Sequence, residues 1–336
     1  MRAALYQGKE HIELTELPDP VCSPDGVILQ NVYASICGTD VAVYNHGTGM
    51  GHRITIGGEF GHEVFCRVKE TGESVKDLKA GDRVYPYPRL VTGDPGRAGT
   101  IGGFSEFIQA PLARIGQEVY RVSDKISDRA AALIEPFTVG CRAARRALPK
   151  AGESALVFGA GTIGIAAAIA LKYFGCEKVM ICDPSGLRRS IASDLGFAIA
   201  DSSGEELPAI TKDCFGTAFG YKGETADVDI MIDAAGADAI LDYYQTCGKV
   251  ESRMVMVAVG NSPRPVDVLG MTFGQLAIIG SGGYMPEDVR DVMTIMESGR
   301  WDIERLITHE YPWEQLEEAI QMAGQPEKAL NVLIRY

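Results

Sequence analysis

The feature that most constrains this 336-residue chain is the stretch Val157-Phe158-Gly159-Ala160-Gly161-Thr162-Ile163-Gly164. It is a G-x-G-x-x-G pattern that closes a short apolar run and opens a helical one. With 39 glycines in the chain, the pattern alone carries little weight. Its surroundings carry more. Asp183 ends the next apolar run, 19 residues beyond Gly164, where an acid can accept hydrogen bonds from both hydroxyls of a ribose. Gly159 permits the tight turn, Gly161 lets backbone approach a pyrophosphate, and Gly164 lets helix and strand pack closely. The helix N-terminus then offers unpaired N–H groups and a favourable dipole to the phosphates. A glycine turn followed by a helix-capping Asp is the plainer alternative, and the spacing weighs against it.

Apolar runs recur after this motif. Strands are expected at 155–158, 178–183, 228–233, 253–259 and 276–280, with helices at 162–174, 186–195 and 237–246. The strands are apolar nearly throughout, as they are when helices cover both faces of a sheet. Strand, helix, strand repeated in this way implies an α/β fold with a doubly wound parallel sheet and right-handed crossovers. The first 135 residues read differently: VILQNVYASI, HEVFCRVKET and GDRVYPYP are β-rich and punctuated by Gly, Pro and Asp. Beyond about residue 283, helical patterns at 286–297 and 313–323 precede a last strand, ALNVLIRY, which needs a sheet to join. The economical arrangement makes the middle segment an insertion. Residues 1–136 plus 283–336 then form one domain and residues 137–282 the other, with the site expected in a cleft between them.

Composition closes off several functions. Asp plus Glu number 45 against 32 Lys plus Arg, a formal charge of −13 without a basic block, so nucleic acid would be repelled. The N-terminal residues lack the apolar core of a secretion signal. The apolar stretch 155–171 breaks at Gly159 and Gly161, so a turn explains it better than a membrane span. Eight cysteines, at 22, 37, 66, 141, 176, 182, 214 and 247, form no CxxC pair; this reads as reduced thiols of a cytoplasmic protein.

A second constellation lies in the β-rich half: Cys37 in ICGTD, His62 and Glu63 in GHE, and Glu135 in IEP. Thiolate, imidazole and carboxylate together suit Zn²⁺. Three protein ligands suffice for a catalytic zinc, which lowers the pKa of an alcohol in the open position and stabilises charge on oxygen as hydride leaves. No cysteine falls between 66 and 141, so carboxylates must complete the set. Each residue also has a plainer explanation. A lone Cys is more often a small core residue, and Glu135-Pro136 fits a helix end, because the residue before proline avoids the α region.

Taken together, these motifs resemble the zinc-dependent medium-chain dehydrogenases over nearly the full length, with the polyol (sorbitol) dehydrogenases as the nearest branch and threonine and butanediol dehydrogenases beside it. The matching stretches are ICGTDV with the following His46-Gly47, GHE at 61–63, LKAGDRV at 78–84, AALIEPFTVG at 131–140, VFGAGTIG at 157–164, ICD at 181–183 and LITHEYPWEQLEEAI near the C-terminus. The resemblance implies a GroES-like catalytic domain split around a Rossmann domain. It implies NAD-linked oxidation of a secondary alcohol in a small hydrophilic substrate: a polyol, a diol or a hydroxy acid. Cys37 and His62 would be zinc ligands and Glu63 the nearby acid that can ligate directly. Glu135 stands where alcohol dehydrogenases have a cysteine, and would reach zinc directly or through water. Thr39 would hydrogen-bond the substrate oxygen and start a proton relay, and Asp40 would orient His62. Thr138 to Gly140 would approach the nicotinamide. The expected cofactor set is Gly159, Gly161, Thr162, Ile163, Gly164, Asp183, Arg188, Thr138 and Val259. A carboxylate at Asp183 repels a 2′-phosphate and so favours NAD over NADP, whereas Arg188 or Arg189 could reach that phosphate if the acid turned away.

Two departures from the family pattern matter. Many relatives carry a four-cysteine structural zinc lobe where this chain reads YPYPRLVTGDPGRAGT at 85–100. One zinc per chain is therefore expected. The family implies a homo-oligomer of two or four copies, but that lobe often contributes to subunit contacts. The second departure is Ala42, where many relatives have the histidine that passes the proton to solvent. The proton would leave through Thr39, the ribose hydroxyls and water, or through another base such as His46 or His52. Arg89, Arg97 and Arg114 could meet an anionic substrate. The alternatives are a metal-free quinone- or enone-type reductase and a non-catalytic NAD-binding paralogue, both of which would be expected to lack the ligands that this chain keeps.

Overall fold

The computed structural model describes residues 1–49, 54–91, 97–98, 100–204, 206–260 and 262–336. The chain divides into two compact units, Met1–Glu135 with Met296–Tyr336, and Pro136–Ile295.

In the second unit six strands form one parallel sheet in the order Ala198–Ala200, Lys178–Cys182, Ser154–Phe158, Ile230–Asp233, Arg253–Met256, Ala277–Gly280. Counted along the chain this is 3-2-1-4-5-6, the doubly wound order, and the connections reverse direction beside Ser154–Phe158. The central strands are buried on both faces, with Ala155, Leu156, Val157, Ile230 and Ile232 at essentially zero exposure. This is why they carry no polar alternation. Helix Thr162–Tyr173 is buried from Gly164 through Leu171, and a helix enclosed in this way is apolar all round.

Several elements differ from the sequence reading. The edge strand Ala198–Ala200 was not anticipated, nor were helices Leu207–Phe215 and Val268–Gly274 or the hairpin of Thr217–Gly220 with Gly223–Ala226. The strand expected to reach 259 stops at Met256, because the N–H groups of Val257 and Ala258 both converge on the Asp233 carbonyl. The second compact unit runs to Ile295, whereas residue 283 was the expected boundary. Helix Pro286–Glu297 opens within the second unit. Its buried Asp288 accepts from Arg145 Nε at 2.7 Å and lies 3.7 Å from Arg142.

In the first unit a seven-stranded sheet runs Ile307–Pro312, Asn331–Arg335, Val27–Ser35, Glu63–Thr71, Arg83–Pro86, Val119–Arg121, with Phe107–Ala110 also paired to Val27–Ser35. The last strand thus joins the sheet begun near the N-terminus, with Leu333 opposite Ser35. On the other side of Val27–Ser35, Ser35 stands opposite Glu63. A smaller sheet of His11–Glu16, Arg2–Gly8 and Gly58–Glu59 completes the unit's strand pairing among the described residues. Phe60 and Phe104 meet edge to face at 4.9 Å, each fully buried ring contributing about 1.5–3 kcal/mol. No described helix is long and apolar enough to cross a membrane.

Candidate functional site

Cys37 follows strand Val27–Ser35 by two residues and caps the N-terminus of helix Gly38–His46. Asp40, buried in the first turn, reaches back and accepts the Cys37 N–H through Oδ2 at 3.0 Å, as an acid at that position does for the orphan donors of a helix start. His62 is delivered by a bend at Gly61, where φ is +87° and a Cβ would stand 2.7 Å from the Phe104 ring. Only glycine makes that bend against that ring. Glu63 then opens strand Glu63–Thr71 directly opposite Ser35. The register therefore brings residues 37 and 62–63 together at one end of the antiparallel pair.

The Cys37 thiol, one His62 ring nitrogen and a Glu63 carboxylate oxygen all lie within 4.8 Å of one another. Tetrahedral zinc donors stand about 3.3–3.8 Å apart, so small side-chain movements would close the set. Glu135, also buried, lies outside this trio, yet its charge acts on Cys37, His62 and Glu63. It sits in the first turn of helix Ile134–Arg146. Glu135-Pro136 therefore begins a helix and does not end one, and proline is tolerated there because first-turn N–H groups have no intrahelical acceptor.

The electrostatics of this cluster are one-sided. Burial first, then Asp40 and Glu135, pushes the Cys37 thiol up to about 12, although the residue as a whole is only half-buried. Burial, then Cys37 and Glu135, raises the Glu63 carboxyl well above its usual range. Burial works to lower His62, but Asp40, Glu135 and Glu63 outweigh it and the imidazole is raised. Glu63 Oε2 and Asp40 Oδ1 are buried without a hydrogen-bond partner among the described residues. Three carboxyls and a thiol thus share a buried space with a single imidazole, and unmatched buried charge of this kind is costly. A divalent cation among these donors would remove that cost and favour their deprotonated forms. The residues present fit a zinc ion. Beside them, the half-buried Thr39 donates from Oγ1 to Cys37 Sγ at 2.9 Å.

Ala42 is half-buried and His46 is exposed at the end of the helix that Cys37 caps; His52 lies outside the described residues. Arg97 is engaged by Glu59, and Arg114 by the buried Glu118.

In the second unit the glycine motif occupies the turn after the central strand. Gly159 has φ +101°, and a Cβ there would press on the Ala234 backbone at 3.1 Å. A Cβ on Gly164 would stand 1.8 Å from the Gly159 carbonyl oxygen, whereas one on Gly161 would meet only Arg188 Nη1, at 3.7 Å. Gly161 is the N-cap of the helix that Thr162 and Ile163 begin. Asp183 follows the end of strand Lys178–Cys182 and is nearly fully buried. Its Oδ2 accepts the Ala160 N–H at 2.7 Å and its Oδ1 the Ser185 N–H at 2.8 Å. The acid is thereby tied to the glycine turn, and each oxygen keeps a further lone pair for a ribose hydroxyl. Of the two arginines, Arg188 faces Gly161, while Arg189 is bonded to Asp201 at 2.9 Å and to the Asp183 carbonyl at 2.6 Å. Thr138 is buried in a helix whose Gly140 approaches Ile163 and Ala166 so closely that a Cβ would stand 2.6 Å from each. Val259 lies in the loop beyond Met256 with 70% of its surface exposed.

The family model for the alcohol dehydrogenase GroES-like domain matches residues 23–122, and that for zinc-binding dehydrogenases matches residues 162–298. The chain belongs to the zinc-dependent medium-chain dehydrogenases. Within this family it is 29% identical to the (R,R)-butanediol dehydrogenase of Neisseria gonorrhoeae, over 99% of this chain and 99% of the relative. It is 28% identical to the L-threonine 3-dehydrogenase of Bacillus velezensis, over 96% of this chain and 94% of the relative. The crystal structure of 2R,3R-butanediol dehydrogenase from Bacillus subtilis matches it with a TM-score of 0.85 at 24% identity, covering 100% of this chain and 99% of that one. At that identity the match speaks for the fold, a GroES-like domain with a Rossmann-type sheet.

Two polar residues of this medium-chain dehydrogenase, Ser35 and Asn331, belong to no sequence motif yet lie beside the cluster. Asn331 Nδ2 donates to Ser35 Oγ at 2.9 Å, and Ser35 stands directly opposite Glu63 in the strand pair. All three residues are buried. The available signal was Asn331 itself, an amide in the otherwise apolar run ALNVLI, since a buried amide needs a polar partner somewhere.

Proposed function

We propose that this dehydrogenase oxidises a secondary alcohol on a small hydrophilic molecule, such as a diol, polyol or hydroxy acid, with NAD as the hydride acceptor and one zinc ion per chain. The observation that carries this reading is the cluster of half-buried Cys37 with buried His62 and Glu63, in which Glu63 Oε2 has no hydrogen-bond partner among the described residues. Its relatives are named for butanediol and L-threonine; both molecules are small and carry a secondary hydroxyl beside a second polar group. When bound, the ion supplies a Lewis acid that lowers the pKa of an alcohol oxygen, and the dinucleotide supplies the hydride acceptor.

The chain's own residues divide the remaining work. Cys37, His62 and Glu63 would hold the ion, and Glu135, whose charge acts on all three, would be a further carboxylate for it. Asp40 fixes the Cys37 backbone, and its carboxylate near His62 would make the neutral imidazole a stronger donor to the ion. Thr39 holds the substrate hydroxyl and passes its proton on; with Ala42 in the following turn, that proton continues through water or a ribose hydroxyl. Backbone N–H groups from Gly161 to Gly164 receive the pyrophosphate at the helix start, with the Arg188 guanidinium over the same turn. Asp183 takes the adenosine ribose, and its charge disfavours a 2′-phosphate. Thr138 and Val259 line the nicotinamide end.

NADH formation with a panel of diols, polyols, hydroxy acids and threonine, run before and after chelation, tests this reading. Turnover that a chelator abolishes and zinc restores supports it, and the best member of the panel names the substrate class. Turnover untouched by exhaustive metal removal would favour a metal-free reductase.

A further inference from the structure

Three neighbouring strands of the first unit each place one polar side chain at the same end of the sheet: Asn331, Ser35 and Glu63. Asn331 is pinned by its own surroundings. Thr308 Oγ1 donates to the Asn331 carbonyl at 3.0 Å and accepts the Leu330 N–H at 3.1 Å. The amide Nδ2 of Asn331 has only protons to offer, and it gives one to Ser35 Oγ at 2.9 Å. A hydroxyl that accepts from an amide nitrogen must aim its single proton elsewhere, and Glu63 is its cross-strand neighbour. The polarity of the Ser35 hydroxyl is therefore set from the C-terminal strand: it accepts from Asn331 and keeps its proton for the side on which Glu63 lies. Glu63 Oε2 is left without a partner among the described residues.

We propose that Ser35 and Asn331 are positioning residues of the metal centre: the Ser35 hydroxyl, oriented by Asn331, holds one oxygen of Glu63 and so presents Oε2 to the ion beside Cys37 and His62. The inference rests on the zinc reading above and adds to it that the last strand of the chain helps to fix the ligand geometry. A glutamate tethered at one oxygen needs no search of rotamers before it ligates. One without the tether must be ordered at each binding event, and its oxygen leaves the ion more readily.

The test uses the full-length zinc-loaded protein and times zinc transfer to an excess of a chromophoric chelator. Ser35→Ala should release zinc about 10- to 100-fold faster than wild type, the range by which metal affinity falls when a residue that orients a ligand is lost, with the change carried by dissociation. Asn331→Ala should accelerate release by a smaller factor, and Ser35→Thr, which keeps the hydroxyl, should restore slow release. In the Co²⁺-loaded chain, Ser35→Ala should alter the visible absorption bands that report the ligand set, a change that a merely structural role would not produce. Melting of the metal-free variants separates folding from ligation; if Ser35→Ala does not fold, Asn331→Ala carries the test. Zinc-loaded wild type with release unchanged in both Ser35→Ala and Asn331→Ala overturns the inference and leaves the zinc reading standing. Threonine releasing as fast as alanine would also overturn it. A wild-type chain that takes up no zinc removes the zinc reading itself.

Discussion

In the Gly164→Ala variant the new methyl carbon would stand 1.8 Å from the carbonyl oxygen of Gly159 and 2.9 Å from its carbonyl carbon. Carbon and oxygen come into contact at about 3.3 Å, so helix and turn would have to part by roughly 1.5 Å. The obstructing atoms are backbone, and no side chain can swing aside. Overpacking costs about 1–3 kcal/mol, and the upper end applies where nothing flexible yields. For a unit of this size each kcal/mol lowers the melting temperature by about 2–4 °C, giving a loss of about 6–12 °C without nucleotide. The same retreat displaces the N–H groups that receive the pyrophosphate, and a shift of about 1 Å at such a site can cost 10²-fold. Gly161→Ala is the internal control. Its methyl meets only Arg188 Nη1 at 3.7 Å, an ordinary contact, so melting should stay within about 2 °C of wild type, as for a substitution that strains nothing. NAD binding should still weaken, because the methyl fills the space that the phosphates need. Calorimetric melting without nucleotide and an NAD titration of both variants separate the two effects. A Gly164→Ala chain that melts and binds NAD like wild type would refute the steric argument. Unimpaired NAD binding by Gly161→Ala would refute the placement of the pyrophosphate.

Three further outcomes are expected. Asp288→Ala removes a fully buried carboxylate that accepts from Arg145 at 2.7 Å and from the Met285 N–H at 2.8 Å; urea unfolding should reveal a loss of about 3–5 kcal/mol, and a loss below about 1 kcal/mol would mean that water replaces the pair. Hydrogen bonds from Arg114 hold the Glu118 carboxyl below its usual range against the opposing effect of burial. A depressed carboxyl stabilises the fold above its unfolded pKa, and that contribution is lost as pH falls through the folded value. The stability gap between wild type and Glu118→Gln should therefore be widest at neutral pH and close below about pH 4; a gap independent of pH contradicts this. Asp183→Ala deprives the N–H groups of Ala160 and Ser185 of their acceptor, at about 1–3 kcal/mol each, and should shift the ratio of kcat/KM for NADP over NAD upward. An unchanged cofactor ratio would remove Asp183 from the ribose.

What could be read from the sequence follows the physics of each element. The inner strands of the parallel sheet were legible because burial on both faces demands unbroken apolar runs such as Leu156-Val157-Phe158. Edge strand Ala198–Ala200 was not, since it is three residues long and buries only Ala200. Nor was the ion pair that joins helix Pro286–Glu297 to the second unit, because Asp288 meets Arg145 across 143 positions of sequence with no periodic signature. At the metal cluster the donor types were legible in Cys37, His62, Glu63 and Glu135. Their grouping was not, because it depends on the register that sets Ser35 opposite Glu63. The contribution of Asn331 acts on Ser35 from 296 positions away, and only its polarity within an apolar strand hinted at a role.

Zinc content of wild type and Cys37→Ser, determined on the same preparations as NAD affinity and NADH formation, tests the proposed centre most directly. One zinc per wild-type chain is predicted. In Cys37→Ser zinc and turnover should be lost together while NAD is still bound, since the glycine turn belongs to the other unit. A wild-type chain that forms NADH without zinc, or a Cys37→Ser chain with full turnover, would contradict the account.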